Sequence, residues 1–252
     1  MIPLKTAKEI KIMQEGGKKL AWVFEQLKIK PGMSLKEVDT LAEELIKKQN
    51  GKPSFKMVKD YHWATCLNVN QGVVHGIPND YRLKVGDLLS VDIGIFYKGY
   101  HTDKANSLLV GDIGTNQRLK EREFLSVGRE ALEVAIKSVR LGNRIGHLSQ
   151  AIQTTIKSKG WQPVQALVGH GVGKKLHEPP QIPCYLQKRI EETEKLKPGM
   201  TLAIEVIYTQ GNSEVMVGED GWTVETVDGH LAALFEDTIL VTPGEPLVLT
   251  RK

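Results

Sequence analysis

The chain repeats itself. The segment LKVGDLLSVDIGI beginning at Leu83 aligns without gaps on LKPGMTLAIEVIY beginning at Leu196, so that Leu, Lys, Gly and a following apolar run coincide and Asp92 falls on Glu205. Upstream, PGMSLKEVDTLAEELIKKQNGKP from Pro31 matches LGNRIGHLSQAIQTTIKSKGWQP from Leu141, with Gly32 on Gly142 and Pro53 on Pro163. Each copy has helical apolar spacing, Val38, Leu41 and Leu45 in the first and Leu148, Ile152 and Ile156 in the second. The earlier amphipathic stretches Ala7–Leu27 and Leu119–Val139 also occupy matching places. Two related halves are the simplest reading of such a repeat.

In each half the order is helix, helix, then strands. The expectation is an α+β fold: one domain over residues 1–252, with an internal pseudo-repeat at about 1–112 and 113–252. The strands of both halves would join into one antiparallel sheet with helices on one face, leaving the other face free to carry a site near the pseudo-symmetry axis. Two cysteines, Cys66 and Cys184, are too few for a disulfide framework. No apolar run approaches the roughly 20 residues of a membrane span, and the charged N-terminal stretch lacks the apolar core of a signal peptide. A cytoplasmic protein is expected. The 34 basic against 30 acidic residues leave a charge of only +4, spread along the chain, which does not call for a specific nucleic-acid substrate.

The acidic residues carry the chemistry. In Leu88–Phe96, alternation puts Leu89, Val91, Ile93 and Ile95 on one side of a strand and Ser90, Asp92 and Gly94 on the other. A hairpin loop at Phe96-Tyr97-Lys98-Gly99 would set Asp92 directly opposite Asp103; a tighter Lys98-Gly99 turn would make Asp103 a diagonal neighbour. Either register brings two carboxylates together, which is unfavourable unless a proton or cation sits between them. Glu205 in TLAIEVIY and Glu236 in ALFEDTILV are further acids inside apolar alternating runs, and charged side chains are seldom buried unless paired or coordinated. His170 lies between glycines in LVGHGVGKKLHEPP, with His177 seven positions later. Neither HExxH nor Cys-rich spacing is present, so zincin and zinc-finger chemistry are excluded. Four carboxylates and an imidazole form a hard donor set suited to Mn, Fe, Co or Zn, and to two divalent metal ions better than one. Metal-assisted hydrolysis is the implied reaction class.

The motifs CLNVNQGVVHGIP, SVDIGIFYKGYHTD, GHGVGKKLHEPP, TLAIEV and LFEDT, in this order over about Ala7–Val241, closely resemble those of the type I methionine aminopeptidases. That family has the pita-bread fold, shared with aminopeptidase P and prolidase: two pseudo-symmetric halves around one curved antiparallel sheet. The resemblance implies removal of the N-terminal methionine from nascent polypeptides by water activated at a dinuclear metal centre. It places metal ligands at Asp92, Asp103, His170, Glu205 and Glu236, with Asp103 and Glu236 bridging both ions and Glu205 also moving a proton. By the same resemblance His177 contacts the scissile carbonyl and His75 lies near the substrate amine and scissile bond. Cys66, Trp222 and Leu176 fall at methionine-pocket positions, Leu176 where a larger apolar residue is common. The family further implies a monomer, and the slight basic excess suggests a weak ribosome contact. The sequence departs from the usual pattern at Val206, where Pro is usual, and at Asp237, where His is frequent. The Lys59–Trp63 stretch before Cys66 is shorter than the family's usual pocket loop, so the resemblance does not carry over the pocket's exact walls.

Two other functions compete. A peptidase of the same fold specific for Pro at the second position shares the ligands but commonly carries an additional N-terminal domain, for which the early helix leaves no room. A non-catalytic module binding nascent chains or RNA would be expected to lose ligands, whereas all five are present.

Overall fold

The computed structural model describes residues 2–111 and 118–252; the boundary expected near 112–113 between the two halves lies outside the described residues. In the first half, helices α1 (Ala7–Gln26) and α2 (Leu35–Lys48) precede β1 (Lys52–Pro53), β2 (Thr65–Val69), β3 (Gly72–Val74), β4 (Leu88–Tyr97) and β5 (Tyr100–Leu109). In the second, α3 (Leu119–Lys137) and α4 (Ile145–Lys157) precede β6 (Gln162–Pro163), β7 (Val168–Gly171), β8 (Glu178–Pro183) and β9 (Thr201–Thr209). The short strands β10 (Val215–Val217) and β11 (Val224–Thr226), then β12 (Ala232–Leu240) and β13 (Leu247–Val248), complete the chain. No described helix is long and apolar enough to cross a membrane.

Local sequence explains where the first helices start. Thr6 and Ser34 cap α1 and α2, and in each case the Glu three residues later, Glu9 or Glu37, reaches back to the capping residue's N–H. Those reciprocal bonds satisfy amides that the helix itself leaves unpaired.

The large antiparallel sheet runs β1-β4-β5-β12-β9-β7-β8, with β2 on β4, β6 on β9 and β13 on β12. The helices cover one face. Against α1 and α2 pack Leu89, Val91, Ile93 and Ile95 of β4, as alternation predicts. Against α3 and α4 pack Leu202, Ile204, Val206 and Tyr208 of β9. The sequence echo recurs as an echo of register. Pro53 pairs with Ile95 as Pro163 pairs with Tyr208, and bridge Ser34–Arg82 has its counterpart in Arg144–Lys195. Gly32 and Gly142 share a left-handed φ, 87° and 93°, which only glycine adopts freely.

On the opposite face β3, β11 and β10 form a separate three-stranded sheet that the sequence reading did not anticipate. Its strands are three residues each, too short to show a period.

Candidate metal centre and substrate cavity

The carboxylates are brought together by register. The β4–β5 turn is Lys98-Gly99, with φ of 46° and 92°, and Tyr97 pairs with Tyr100. A two-residue turn with both residues left-handed matches the strand twist, so the four-residue Phe96–Gly99 loop does not form. Asp103 accordingly faces Gly94 and is the diagonal neighbour of Asp92. The remaining acids lie in one row across four strands: Asp92 faces Ala105, Ala105 faces Glu236, and Glu236 faces Glu205. His170 enters from β7 opposite Ala203, two positions from Glu205 and hence on its side of the sheet.

Asp103, His170 and Glu236 each place a donor atom within 4.8 Å of the other two. His170 Nε2 lies 3.5 Å from Glu205 Oε1. Burial, followed by the charge of Asp103, pushes the carboxyls of Asp92, Glu205 and Glu236 well above their usual range, and burial also raises Asp103. Burial holds His170 down at about 4, so its ring is neutral at pH 7.

These features fit a divalent cation. Asp92 Oδ1 and Glu236 Oε1 are buried without a hydrogen-bond partner, a state that costs free energy unless something else satisfies them. Among the described residues no Lys or Arg lines the cavity to neutralise the acids. His170 Nδ1 lies 2.9 Å from Gly171 O, the bond by which a ligating imidazole donates from one nitrogen and turns the other toward the metal.

All ten residues singled out from the sequence line one cavity of about 140 Å³. One end is the carboxylate cluster. The other is apolar, where Cys66 and Leu176 pack with Phe55 and Tyr61, and Val58, Trp63 and Trp222 pack against them. The Tyr61 hydroxyl donates to Thr65 O at 2.8 Å and to Cys66 Sγ at 3.2 Å, and its ring meets Trp222 edge-on with centroids 5.1 Å apart. His75 and His177 are exposed, with the His177 ring edge-on to His170 at 4.5 Å. His75 has φ 57°, a conformation uncommon outside glycine and enriched at functional sites. Sequence reasoning pointed to the Lys59–Trp63 loop without assigning Tyr61 as a wall, and missed Phe55 and Val58. The Tyr–Trp pair just before Cys66 was the available signal, but loop residues show no periodicity that reveals where they point.

The match to known proteins agrees with this geometry. Residues 11–243 match the model of metallopeptidase family M24. The chain is 43% identical to methionine aminopeptidase 1 of Bacillus subtilis (strain 168) over 253 residues, covering 100% of both chains. It is 37% identical to the methionine aminopeptidase of Clostridium perfringens, covering 99% of each. The crystal structure of methionine aminopeptidase from Thermotoga maritima superposes with a TM-score of 0.94 at 43% identity, with 100% of both chains covered. Prolidase from Pyrococcus furiosus superposes less well, at 0.77 and 25% identity, over 99% of this chain and 65% of that one. The chain belongs to the methionine aminopeptidases of metallopeptidase family M24.

Proposed function

We propose that the protein removes N-terminal methionine from nascent polypeptides and peptides, with two divalent ions held by Asp92, Asp103, His170, Glu205 and Glu236. The observation that carries this reading is the cavity itself: buried, unneutralised carboxylates at one end and a sulfur-lined apolar pocket at the other. When bound, the ions supply a Lewis acid and lower the pKa of water. Asp103, two positions off the row on β5, and Glu236, in the row on the adjacent β12, are the residues that by the resemblance would bridge both ions. Glu205 would accept the proton released by the attacking water and pass it to the leaving amine. His177 and His75, at the mouth, donate to the oxygen of the scissile carbonyl as negative charge develops there. Phe55, Tyr61, Cys66, Leu176 and Trp222 exclude water and hold the thioether, for which sulfur and aromatic surfaces are suited. The cavity is far smaller than the pockets that take drug-sized ligands, which matches a single side chain.

On this reading the chain is one catalytic domain, monomeric, working in the cytoplasm, with a weak ribosome contact. Gel filtration and ribosome co-sedimentation test those points.

The decisive experiment strips the protein of metal, adds back individual divalent ions and measures hydrolysis of Met-Ala-Ser and Ala-Pro-Ala. Metal-dependent cleavage of the first alone is expected. Preference for the second favours the Pro-specific peptidase. Metal binding with neither peptide cleaved, or no metal binding at all, favours a non-catalytic module.

A further inference from the structure

The two halves meet along a narrow seam. Strands β4 and β5 pair along their full length, and so do β9 and β12, but β5 and β12 pair only at Ala105–Glu236 and Lys104–Asp237. Beyond these pairs the backbone ladder gives way to side-chain hydroxyls. At one end Thr238 Oγ1 accepts from Asp103 N at 2.9 Å and donates to Asp103 O at 2.8 Å. At the other, Ser107 Oγ accepts from Leu234 N at 2.9 Å and donates to Leu234 O at 2.8 Å. Asp103 and Glu236, assigned above as bridging ligands, emerge on the cavity face of this seam. Their immediate neighbours, Lys104 and Asp237, emerge on the helix face, as strand alternation requires.

The helix face carries a buried ionic network. Asp237, 1% exposed, accepts from Lys104 Nζ at 2.5 Å and Thr250 Oγ1 at 2.7 Å on Oδ1. Its Oδ2 accepts from Arg251 Nε and Nη2, each at 2.7 Å. Arg251 also reaches Glu133 of α3 at 2.5 Å. The last residues of the chain run beside β12, with Leu249 N donating to Thr238 O and Thr238 N to Thr250 Oγ1. Gly17 of α1 makes room for them, since a Cβ there would lie 2.2 Å from Leu249 O.

We propose that Asp237, tied to Lys104 and to Arg251 of the C-terminal segment, is a positioning residue that fixes the spacing of Asp103 and Glu236 across the seam. The physical reason is a balance of forces on the sheet's two sides. On the cavity face Asp103 and Glu236 would repel one another whenever both are charged with no cation between them, which tends to part β5 from β12. On the other face, one position along each strand, oppositely charged groups pull the same two strands together. With only two ladder pairs at the seam, the backbone alone resists this opening weakly. The C-terminal segment is thereby part of what builds the metal centre, although it touches neither metal nor substrate.

The proposal rests on the metal-ligand reading above and is tested by a property other than turnover. Metal-stripped full-length protein is titrated with Co²⁺ alone, following its visible ligand-field absorption, and the Tm of each stripped variant is recorded. Arg251→Met and Asp237→Leu are expected to weaken Co²⁺ binding by roughly 10-fold or more, the scale typical of groups that orient metal ligands, and to change the absorption bands. Arg251→Lys, which keeps the cation, is expected to recover most of the affinity. A fall in Tm with wild-type Co²⁺ affinity and absorption would make the network merely structural and overturn the proposal. Should Asp237→Leu fail to fold, Arg251→Met carries the test. Wild-type protein that binds no Co²⁺ would instead remove the metal-ligand reading.

Discussion

His177 and Tyr61 line the same cavity and can be separated experimentally. His177 lies edge-on to the ring of His170 and is exposed, so on the proposed reading its removal takes away an oxyanion donor while leaving the carboxylate row intact. His177→Ala is expected to lower kcat by about 10²–10³, the usual cost of losing such a donor, with metal content per chain unchanged by elemental analysis. Loss of metal with normal turnover per remaining ion would refute the role. Tyr61→Phe deletes the hydroxyl that bonds Thr65 O and Cys66 Sγ. A lost buried hydrogen bond costs about 1 kcal/mol, so KM for Met-Ala-Ser should rise several-fold with little change in kcat, as read from initial rates. The sequence disclosed these two residues unequally. His177 stands in the GHGVGKKLHEPP motif that carries the family resemblance, whereas Tyr61 becomes a pocket wall only through loop packing that no spacing encodes.

Among the elements, hairpin β4–β5 shows where sequence patterning stops. Alternation put Asp92 and Asp103 on one face but left two registers open, because Lys-Gly is a weaker turn signature than Asn-Gly; the left-handed backbone at Lys98 selects the tighter one. The segment carrying Leu176 and His177 depends on a contact the sequence did not suggest at all. Lys5, before α1, forms a 2.6 Å ion pair with Glu178 at the start of β8, both side chains nearly inaccessible at 5% and 7% exposure. Glu178 also accepts from Lys175 N at 3.1 Å, closing the turn that presents His177. Breaking one side of a buried pair leaves the other charge uncompensated, at a cost of about 3 kcal/mol. Lys5→Met is therefore expected to lower Tm by roughly 10 °C in a chain of this size and to raise KM, measured by thermal scans and initial rates at equal metal loading. An unchanged KM would uncouple the N-terminal segment from the site.

Across the whole molecule, the repeat puts the acids of two distant segments onto one sheet, and burial makes them interdependent. Their folded-state pKa values lie above the ordinary 3.8 and 4.5. A raised carboxyl contributes stability that is fully present below its unfolded pKa and is lost as pH rises through its folded value. Metal-free protein should therefore lose stability as pH rises from about 4 through neutrality. His101 and His170, both held down at about 4 by burial, act in the opposite direction, since a depressed imidazole loses its contribution as pH falls from 6.5 toward 4. The two effects oppose one another in acidic solution. A divalent ion takes the place of the protons, so its stabilisation grows as they leave. The gap in Tm between metal-loaded and stripped protein should accordingly widen from pH 5.5 to pH 8, as followed by calorimetry at constant ionic strength. A gap independent of pH would mean that the four carboxylates do not share their charge in the folded state, and the dinuclear reading would lose its electrostatic basis.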